Sequence, residues 1–286
     1  MVDQAEKLRN QINMQPNAKT IAVISGKGGV GKSNTVLNFS IELQKQGKKV
    51  LLFDLDIGMG NVDILLGKDA EHSIVDLFDD FMPIHDIIET GPKGLSYIAG
   101  GSSLNNLIAI DQYKLDYFFK QYELVVKDYD YIFFDMGAGV TETSLSLVLA
   151  SDECLLITTP EPTAITDAYS MVKQVITKQN NMNISLLVNR CDNLKNGKIV
   201  SQRFQEVVTK FLTVDINVLG MLPDDKTVQT AVIRQIPYII LDKQAPISKA
   251  MQKVVTAYLH EGIPEIPSEI SFIKKLKRFL TVRRSI

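Results

Sequence analysis

The segment Gly26-Lys27-Gly28-Gly29-Val30-Gly31-Lys32-Ser33 is the most informative part of this sequence. It follows the apolar run TIAVIS at residues 20–25 and opens the helical pattern SNTVLNFSIELQKQ at residues 33–46. A G-x-x-x-x-G-K-[ST] motif between a strand and a helix is typical of a loop that binds the phosphates of a nucleotide. Its glycines let backbone N–H groups face a triphosphate, and the helix N-terminus adds partial positive charge.

Two side chains of this motif have specific expected roles. The Lys32 ammonium is predicted to reach the β- and γ-phosphates, and the Ser33 hydroxyl to ligate Mg²⁺. A glycine-rich turn that only connects strand to helix is the alternative, but the motif, the strand and the helix all occur together here. The residues predicted to contact nucleotide in this segment are Gly26, Lys27, Gly28, Gly29, Val30, Gly31, Lys32, Ser33 and Asn34.

Short apolar runs alternate with helical patterns along the rest of the chain. Runs such as YIFFD at residues 131–135 are apolar almost throughout, as parallel strands covered by helices on both faces are. The sequence therefore predicts an α/β fold with a doubly wound, mostly parallel sheet flanked by helices. The predicted strands are residues 20–25, 49–54, 95–98, 129–135, 154–158, 184–189 and 216–222, and the predicted helices are residues 32–46, 112–126, 164–179, 200–211 and 247–260.

Two predicted strands end in aspartates. FDLD at residues 53–56 and FFDMGAG at residues 133–139 place carboxylates beyond the C-terminal ends of strands, where an α/β sheet binds its ligands. Asp135 is predicted to hold Mg²⁺ through water, Asp56 to orient the attacking water, and Asp54 to lie near the metal's water shell. Aspartates at strand ends also serve as helix caps or turn formers, and that alternative stays open for each of them taken alone.

Composition and charge restrict the class of protein. The chain has 286 residues, a net charge of -2 and 45% hydrophobic residues, which is typical of a globular protein with a substantial core. Cys154 and Cys191 lie in separate apolar runs, which argues against a disulfide framework, a zinc ribbon or an iron–sulfur ladder. No apolar run reaches the roughly 18 residues of a spanning helix, and the first residues lack the apolar region of a signal peptide. We therefore expect a cytoplasmic protein.

The C-terminal segment differs from the acidic body. Six cations and no acid follow Glu269, and GIPEIPS at residues 262–268 predicts a linker before them. At helical spacing, SFIKKLKRFL at residues 271–280 is amphipathic, which is typical of a helix that lies on an anionic membrane. Packing of such a face on the core is the alternative, but the linker and the basic polar face favour lipid. The apolar face comprises Phe272, Ile273, Leu276, Phe279 and Leu280, and the basic face comprises Lys274, Lys275, Lys277 and Arg278.

The order of motifs resembles that of the MinD/ParA class of ATPases. Lys27 matches the additional lysine of that class's deviant Walker A motif, and DLDIGMGNVD, DMGAG, VNR and GMLPDD follow in the same order. The resemblance covers about residues 20–260 and implies ATP/ADP and Mg²⁺ as ligands. It also implies an ATP-dependent homodimer in which the lysine reaches the phosphates of the partner subunit. By the same resemblance, Asn61 belongs to the first switch, Gly137 and Gly139 to the second, and Asn189, Arg190 and Pro223 to the adenine site.

The N-terminal residues resemble a motif of one family within this class. DQAEKLR at residues 3–9 matches the DQAxxLR motif of the FlhG (YlxH/FleN) family, whose members regulate flagellar number and placement. MinD commonly has Arg at the position of Gly60, and this difference favours the flagellar family. MinD also commonly has a D-x-P-A-G second switch, with Pro where this chain has Gly137. The resemblance implies that the motif stimulates FlhF, a GTPase of the signal-recognition-particle type, with Gln4 orienting water. The matching residues are Asp3, Gln4, Ala5, Leu8 and Arg9.

These observations predict four segments and one cycle. Residues 1–19 form a partner-activating segment, residues 20–261 the ATPase domain, residues 262–269 a linker and residues 270–286 a membrane-targeting helix. ATP is expected to produce a homodimer at the inner face of the membrane. Hydrolysis of that ATP is expected to depend on Lys27, Lys32 and Asp56. Anionic lipids, FlhF and flagellar basal-body proteins are the expected partners, and no specific nucleic acid is expected.

Two other functions within the class remain alternatives. One is a MinD-like ATPase that positions the division site. The other is a ParA-like DNA partition ATPase, which would share every nucleotide-binding residue but would need a basic surface for DNA. The acidic body argues against that second alternative.

Overall fold

An eight-stranded sheet organises the chain. The computed structural model describes residues 18–56, 60–101, 112–137, 139, 142–260 and 271–281. The strand order is β3-β4-β2-β5-β1-β6-β7-β8, and all neighbours are parallel except β3 and β4. The strands are β1 (Lys19–Ile24), β2 (Val50–Leu55), β3 (Glu89–Thr90), β4 (Ser96–Ile98), β5 (Tyr131–Met136), β6 (Glu153–Thr158), β7 (Ile184–Cys191) and β8 (Asn217–Pro223).

Helices cover both faces of this sheet. One face packs against α3 to α7 and α11, and the other against α1, α2, α8, α9 and α10, so each face has its own hydrophobic core. The helices are α1 (Lys32–Lys45), α2 (Val62–Leu66), α3 (Ile74–Asp79), α4 (Gln112–Val125), α5 (Glu142–Ala150), α6 (Pro162–Lys178), α7 (Leu194–Leu212), α8 (Lys226–Arg234), α9 (Tyr238–Leu241), α10 (Pro246–His260) and α11 (Phe272–Thr281). The predicted doubly wound α/β fold is confirmed.

Each predicted strand and long helix is present, with bounds shifted by a few residues. The larger difference is α7, which begins at Leu194 instead of residue 200. The side chain of Asn193 caps it by accepting a hydrogen bond from the Asn196 N–H at 2.8 Å. The antiparallel strand β3 was not predicted, because two residues are too short for an alternating pattern.

The basic C-terminal segment forms α11, and its apolar face packs onto the body. The ring of Phe272 lies 5.0 Å from the rings of both Tyr122 on α4 and Phe134 on β5. Ile273 and Leu276 are also buried, and α11 packs along α5. The sequence favoured lipid over the core for this face. In the structure this face packs on the core instead, because Tyr122 and Phe134 form an aromatic groove on the body. The pattern of the C-terminal segment alone carries no information about that groove.

Polar contacts also join α11 to the body. Lys275 forms an ion pair with Asp152 at 2.9 Å, and the Lys277 ammonium lies 4.9 Å from the centre of the Phe119 ring. Lys274 and Arg278 face solvent. Part of the basic face is therefore exposed while the apolar face is covered.

Several predicted segments lie wholly or partly outside the described residues. These are the N-terminal motif with Asp3, Gln4, Ala5, Leu8 and Arg9, and the linker at residues 262–269. Among the helices that the structure describes, none is both long enough and apolar enough to cross a membrane.

Candidate nucleotide-binding site

The loop between β1 and α1 has the backbone that an anion site requires. Gly29 and Gly31 have φ angles of 79° and 86°, which non-glycine residues rarely adopt. Gly31 is the residue that precedes the first turn of α1, whose free N–H groups point out of the helix. The segment predicted to bind phosphates therefore forms a glycine-rich turn at a helix N-terminus.

A buried ion pair lies directly beneath this loop. Lys32, at the start of α1, pairs with Asp135 near the end of β5, and both side chains are almost completely buried. Burial raises the pKa of the Asp135 carboxyl above its ordinary value, although the Lys32 ammonium and the Ser33 hydroxyl act in the opposite direction. The predicted phosphate-binding lysine thus has an anionic partner in the protein itself.

The oxygens around this ion pair fit a magnesium ion. The second carboxylate oxygen of Asp135, Oδ2, is buried without a hydrogen-bond partner among the described residues. The Ser33 hydroxyl is near enough to the same carboxylate to lower its pKa. Hydroxyl and carboxylate oxygens are the hard ligands that Mg²⁺ takes in proteins, usually with several waters retained.

Backbone N–H groups surround the Asp54 carboxylate. Its carboxylate is fully buried and accepts hydrogen bonds from the N–H groups of Asp56 at 3.1 Å, Asn61 at 2.8 Å and Val62 at 3.1 Å. Burial, and secondarily the charge of Asp135, raise the pKa of Asp54 to about 6. Its two oxygens hold the backbone on either side of residues 57–59, so Asp54 anchors the segment that is predicted to form the first switch.

The remaining switch residues lie at the same edge of the sheet. Asp56 follows β2 and is close enough to Asp135 to raise the pKa of that carboxyl, while Gly137 follows β5. Asn61 precedes α2, and Gly139 is exposed with a φ of 84°. The parallel sheet therefore brings both predicted switches together beside the phosphate-binding loop.

Lys27 contacts the start of α6. Its ammonium lies 3.1 Å from Glu161 Oε2 and 3.1 Å from Thr163 Oγ1. The lysine and the glutamate are 41% and 59% exposed, so this ion pair contributes at most about 1 kcal/mol to stability. Sequence reasoning did not find Glu161 and Thr163, although their position just after β6 puts them at the ligand-binding edge of the sheet.

Asn189 supports the phosphate-binding loop from below. Its side-chain amide donates a hydrogen bond to the Val30 carbonyl at 2.8 Å. Gly26, at the start of the loop, packs against the backbone of α6. A Cβ atom built on Gly26 would lie 2.2 Å from the carbonyl carbon of Asp167. Of the other predicted adenine-site residues, Arg190 is exposed with a φ of 53° and Pro223 ends β8 at the same edge.

Comparison with known proteins establishes the family. A ParA family model described as NUBPL iron-transfer P-loop NTPase matches residues 17–259. The chain belongs to the ParA/MinD family of P-loop NTPases. Members of this family are ATPases, and the resemblance found from the motif order is confirmed.

Flagellar regulators are among the similar proteins. This ParA/MinD-family chain is 33% identical to the flagellum site-determining protein YlxH of Helicobacter pylori over 304 aligned positions, which cover 98% of the chain and 100% of YlxH. It is 30% identical to the antiactivator FleN of Pseudomonas aeruginosa over 223 residues, or 78% of the chain and 79% of FleN.

Solved structures of MinD share the fold. The cell division ATPase MinD of Pyrococcus furiosus superimposes with a TM-score of 0.72 at 22% identity, covering 86% of this chain and 100% of that one. MinD of Pyrococcus horikoshii, complexed with Mg-ADP, superimposes with a TM-score of 0.70 at 23% identity, covering 88% of this chain and 100% of that one.

The cysteines of this ParA/MinD-family protein are separate and buried. Cys154 lies in β6 and Cys191 in β7, and neither forms a disulfide. Burial raises the pKa of Cys191 to about 11. Within the described ranges, no three His, Cys, Asp or Glu side chains are grouped so that they could hold a metal ion.

The role of Asp54 generates a prediction about the first switch. Replacing Asp54 with Ala removes the acceptor of the Asn61 and Val62 N–H groups, and a hydrogen bond to a charged group contributes about 1.5–3 kcal/mol. Amide hydrogen exchange at Asn61 and Val62 is therefore expected to accelerate about tenfold or more. The control is Asp63→Ala, since the Asp63 carboxylate accepts a hydrogen bond from the Ile64 N–H at 2.8 Å and none from Asn61 or Val62. Unchanged exchange at Asn61 and Val62 in Asp54→Ala would contradict the anchoring role.

Proposed function

We propose that this protein is an ATP-hydrolysing switch that dimerises with ATP, binds the inner face of the cell membrane and regulates the number or placement of flagella. The observation that carries the proposal is the docking of α11 on α5. Helix α5 is the first element after the second switch at Gly137 and Gly139. A nucleotide-dependent change in that switch would therefore act directly on the groove that holds the amphipathic helix.

The proposed reaction is hydrolysis of the bond between the β- and γ-phosphates by water. The backbone N–H groups of residues 26–33 and the Lys32 ammonium would stabilise charge on the transferred phosphoryl group. Mg²⁺ would be held by Ser33 and, through water, by Asp135, and when bound it supplies further neutralisation of that charge. Asp56 would orient the attacking water from the neighbouring strand end.

Lys27 would complete the site of the partner subunit. In the single chain its ammonium is held by Glu161 and Thr163. These exposed contacts are weak, and a triphosphate offers a much larger negative charge to the same ammonium. Dimerisation around ATP would therefore exchange a weak contact within one subunit for a contact between subunits.

The magnitudes suit reversible membrane attachment. An isolated helix as short as α11 is marginal in water, and each buried large apolar side chain contributes roughly 1.5–3 kcal/mol before ordering costs are subtracted. In this structure Phe272, Ile273 and Leu276 gain that burial against the body. One tail would therefore divide between body and lipid, whereas two tails joined in an ATP dimer would bind lipid with the advantage of effective concentration.

Co-sedimentation with anionic vesicles tests this proposal. Asp56→Ala is expected to bind ATP and dimerise but not to turn over, so it should pellet with vesicles in ATP and stay in the supernatant in ADP. Leu276→Glu in the same background should lose pelleting, because a carboxylate on the apolar face opposes insertion. Leu124→Glu is the matched control, since Leu124 is 56% exposed on α4. Equal pelleting in ATP and ADP, or pelleting of the Leu276→Glu variant, would contradict the proposal.

A partner GTPase is the second element of the proposed function. The YlxH and FleN relatives support a flagellar role, and residues 3–9 match the motif that implies stimulation of FlhF. Flagellar basal-body proteins would be further partners. With purified FlhF, GTP hydrolysis should rise on adding the full chain and fall several-fold with Gln4→Ala, while Glu6→Ala, at a variable position of the motif, should stimulate normally. Equal stimulation by both variants would exclude the amide as the helper.

MinD-like positioning of the division site remains the alternative function. It would share the ATP-dependent vesicle binding but would not require stimulation of a flagellar GTPase. A ParA-like DNA function would instead appear as ATP-dependent, salt-sensitive DNA binding without vesicle binding.

A further inference from the structure

The Asp56 carboxylate and the backbone of the second switch are in close contact. A Cβ atom built on Gly137 would lie 3.1 Å from Asp56 Oδ1 and 3.7 Å from Asp56 Cγ. Gly137 does not have the positive φ found at Gly139. Its backbone is therefore open to other residues, and the limit at this position is the space occupied by the Asp56 carboxylate.

Strand pairing explains why these two residues meet. β2 and β5 are parallel neighbours in which Leu55 pairs with Met136, so Asp56 and Gly137 leave the sheet side by side. The Asp56 N–H is held by Asp54 Oδ1 at 3.1 Å, which fixes the Asp56 backbone. If a side chain were added at residue 137, the Asp56 side chain would be the part that has to move.

We infer that Gly137 is a positioning residue for the Asp56 carboxylate. The missing side chain lets the carboxylate lie against the second switch, within electrostatic reach of Asp135. This inference rests on the proposed function, in which Asp56 orients the attacking water. It adds that the second switch itself sets the position of that carboxylate, so both switches act on one catalytic group.

A small displacement of the Asp56 carboxylate is expected to slow catalysis. A methyl group at residue 137 must push the carboxylate away by a few tenths of an ångström to reach ordinary contact. Misplacement of a reacting group by about 1 Å can reduce a rate by about a hundredfold. Gly137→Ala should therefore lower kcat for ATP by about tenfold, while KM changes less than about twofold because the phosphate-binding loop is untouched.

Phosphate release at saturating ATP and Mg²⁺ measures this effect. Gly91→Ala is the matched control, because a Cβ at Gly91 would also be tight, at 3.3 Å from the Leu95 carbonyl, but it belongs to the turn before β4. Its kcat and KM should equal those of the wild type. A kcat of Gly137→Ala within twofold of wild type, or a parallel change in KM, would overturn the inference.

A second measurement tests the contact without turnover. Urea unfolding is compared for wild type, Gly137→Ala, Asp56→Ala and the double variant. Gly137→Ala should lower the unfolding midpoint in the wild-type background and have no such effect when Asp56 is Ala, because the obstructing carboxylate is gone. Equal effects in both backgrounds would overturn the contact itself. Lack of ATP turnover by the wild-type protein would instead refute the proposed function, whatever the unfolding result.

Discussion

The buried ion pair between Lys32 and Asp135 connects the phosphate-binding loop to the rest of the molecule. Two buried charges are tolerated only because each has the other, and loss of either partner leaves an uncompensated charge in the core. Lys32 is also the side chain that phosphates would attract, and Asp135 has an oxygen with no protein partner among the described contacts. Binding of nucleotide and Mg²⁺ would therefore draw Lys32 towards the phosphates and Asp135 towards the metal, and so change the contact between the two side chains.

A continuous structural path leads from this ion pair to the C-terminal helix. Asp135 lies near the end of β5, Gly137 and Gly139 follow it, and α5 begins three residues later. α5 forms one wall of the groove in which α11 packs, and Phe134 of the same strand contacts Phe272. The strand that carries Asp135 thus also carries part of the docking surface. This arrangement gives a physical basis for coupling nucleotide state to the exposure of an amphipathic helix.

The sequence predicts the local features well because they depend on neighbouring residues. The glycine-rich loop follows from one motif, and the parallel sheet follows from apolar runs alternating with helical patterns. Contacts between distant segments were not predictable in the same way. The docking of Phe272 on Tyr122, the contact of Lys27 with Glu161 and the support of Val30 by Asn189 all join residues more than 130 positions apart. The use of Asp54 as a backbone anchor likewise depends on how the loop folds around its carboxylate.

The distance between α11 and the body in each nucleotide state tests the proposed switch most directly. Spin labels at Lys274→Cys and Glu123→Cys, both exposed positions, report on it by pulsed electron paramagnetic resonance. In the Asp56→Ala background with ADP, the docked helix should give one short distance. With ATP and anionic vesicles, that population should disappear in favour of longer and broader distances. The same short distance in both states would show that α11 is a permanent part of the core and would contradict the proposed switch.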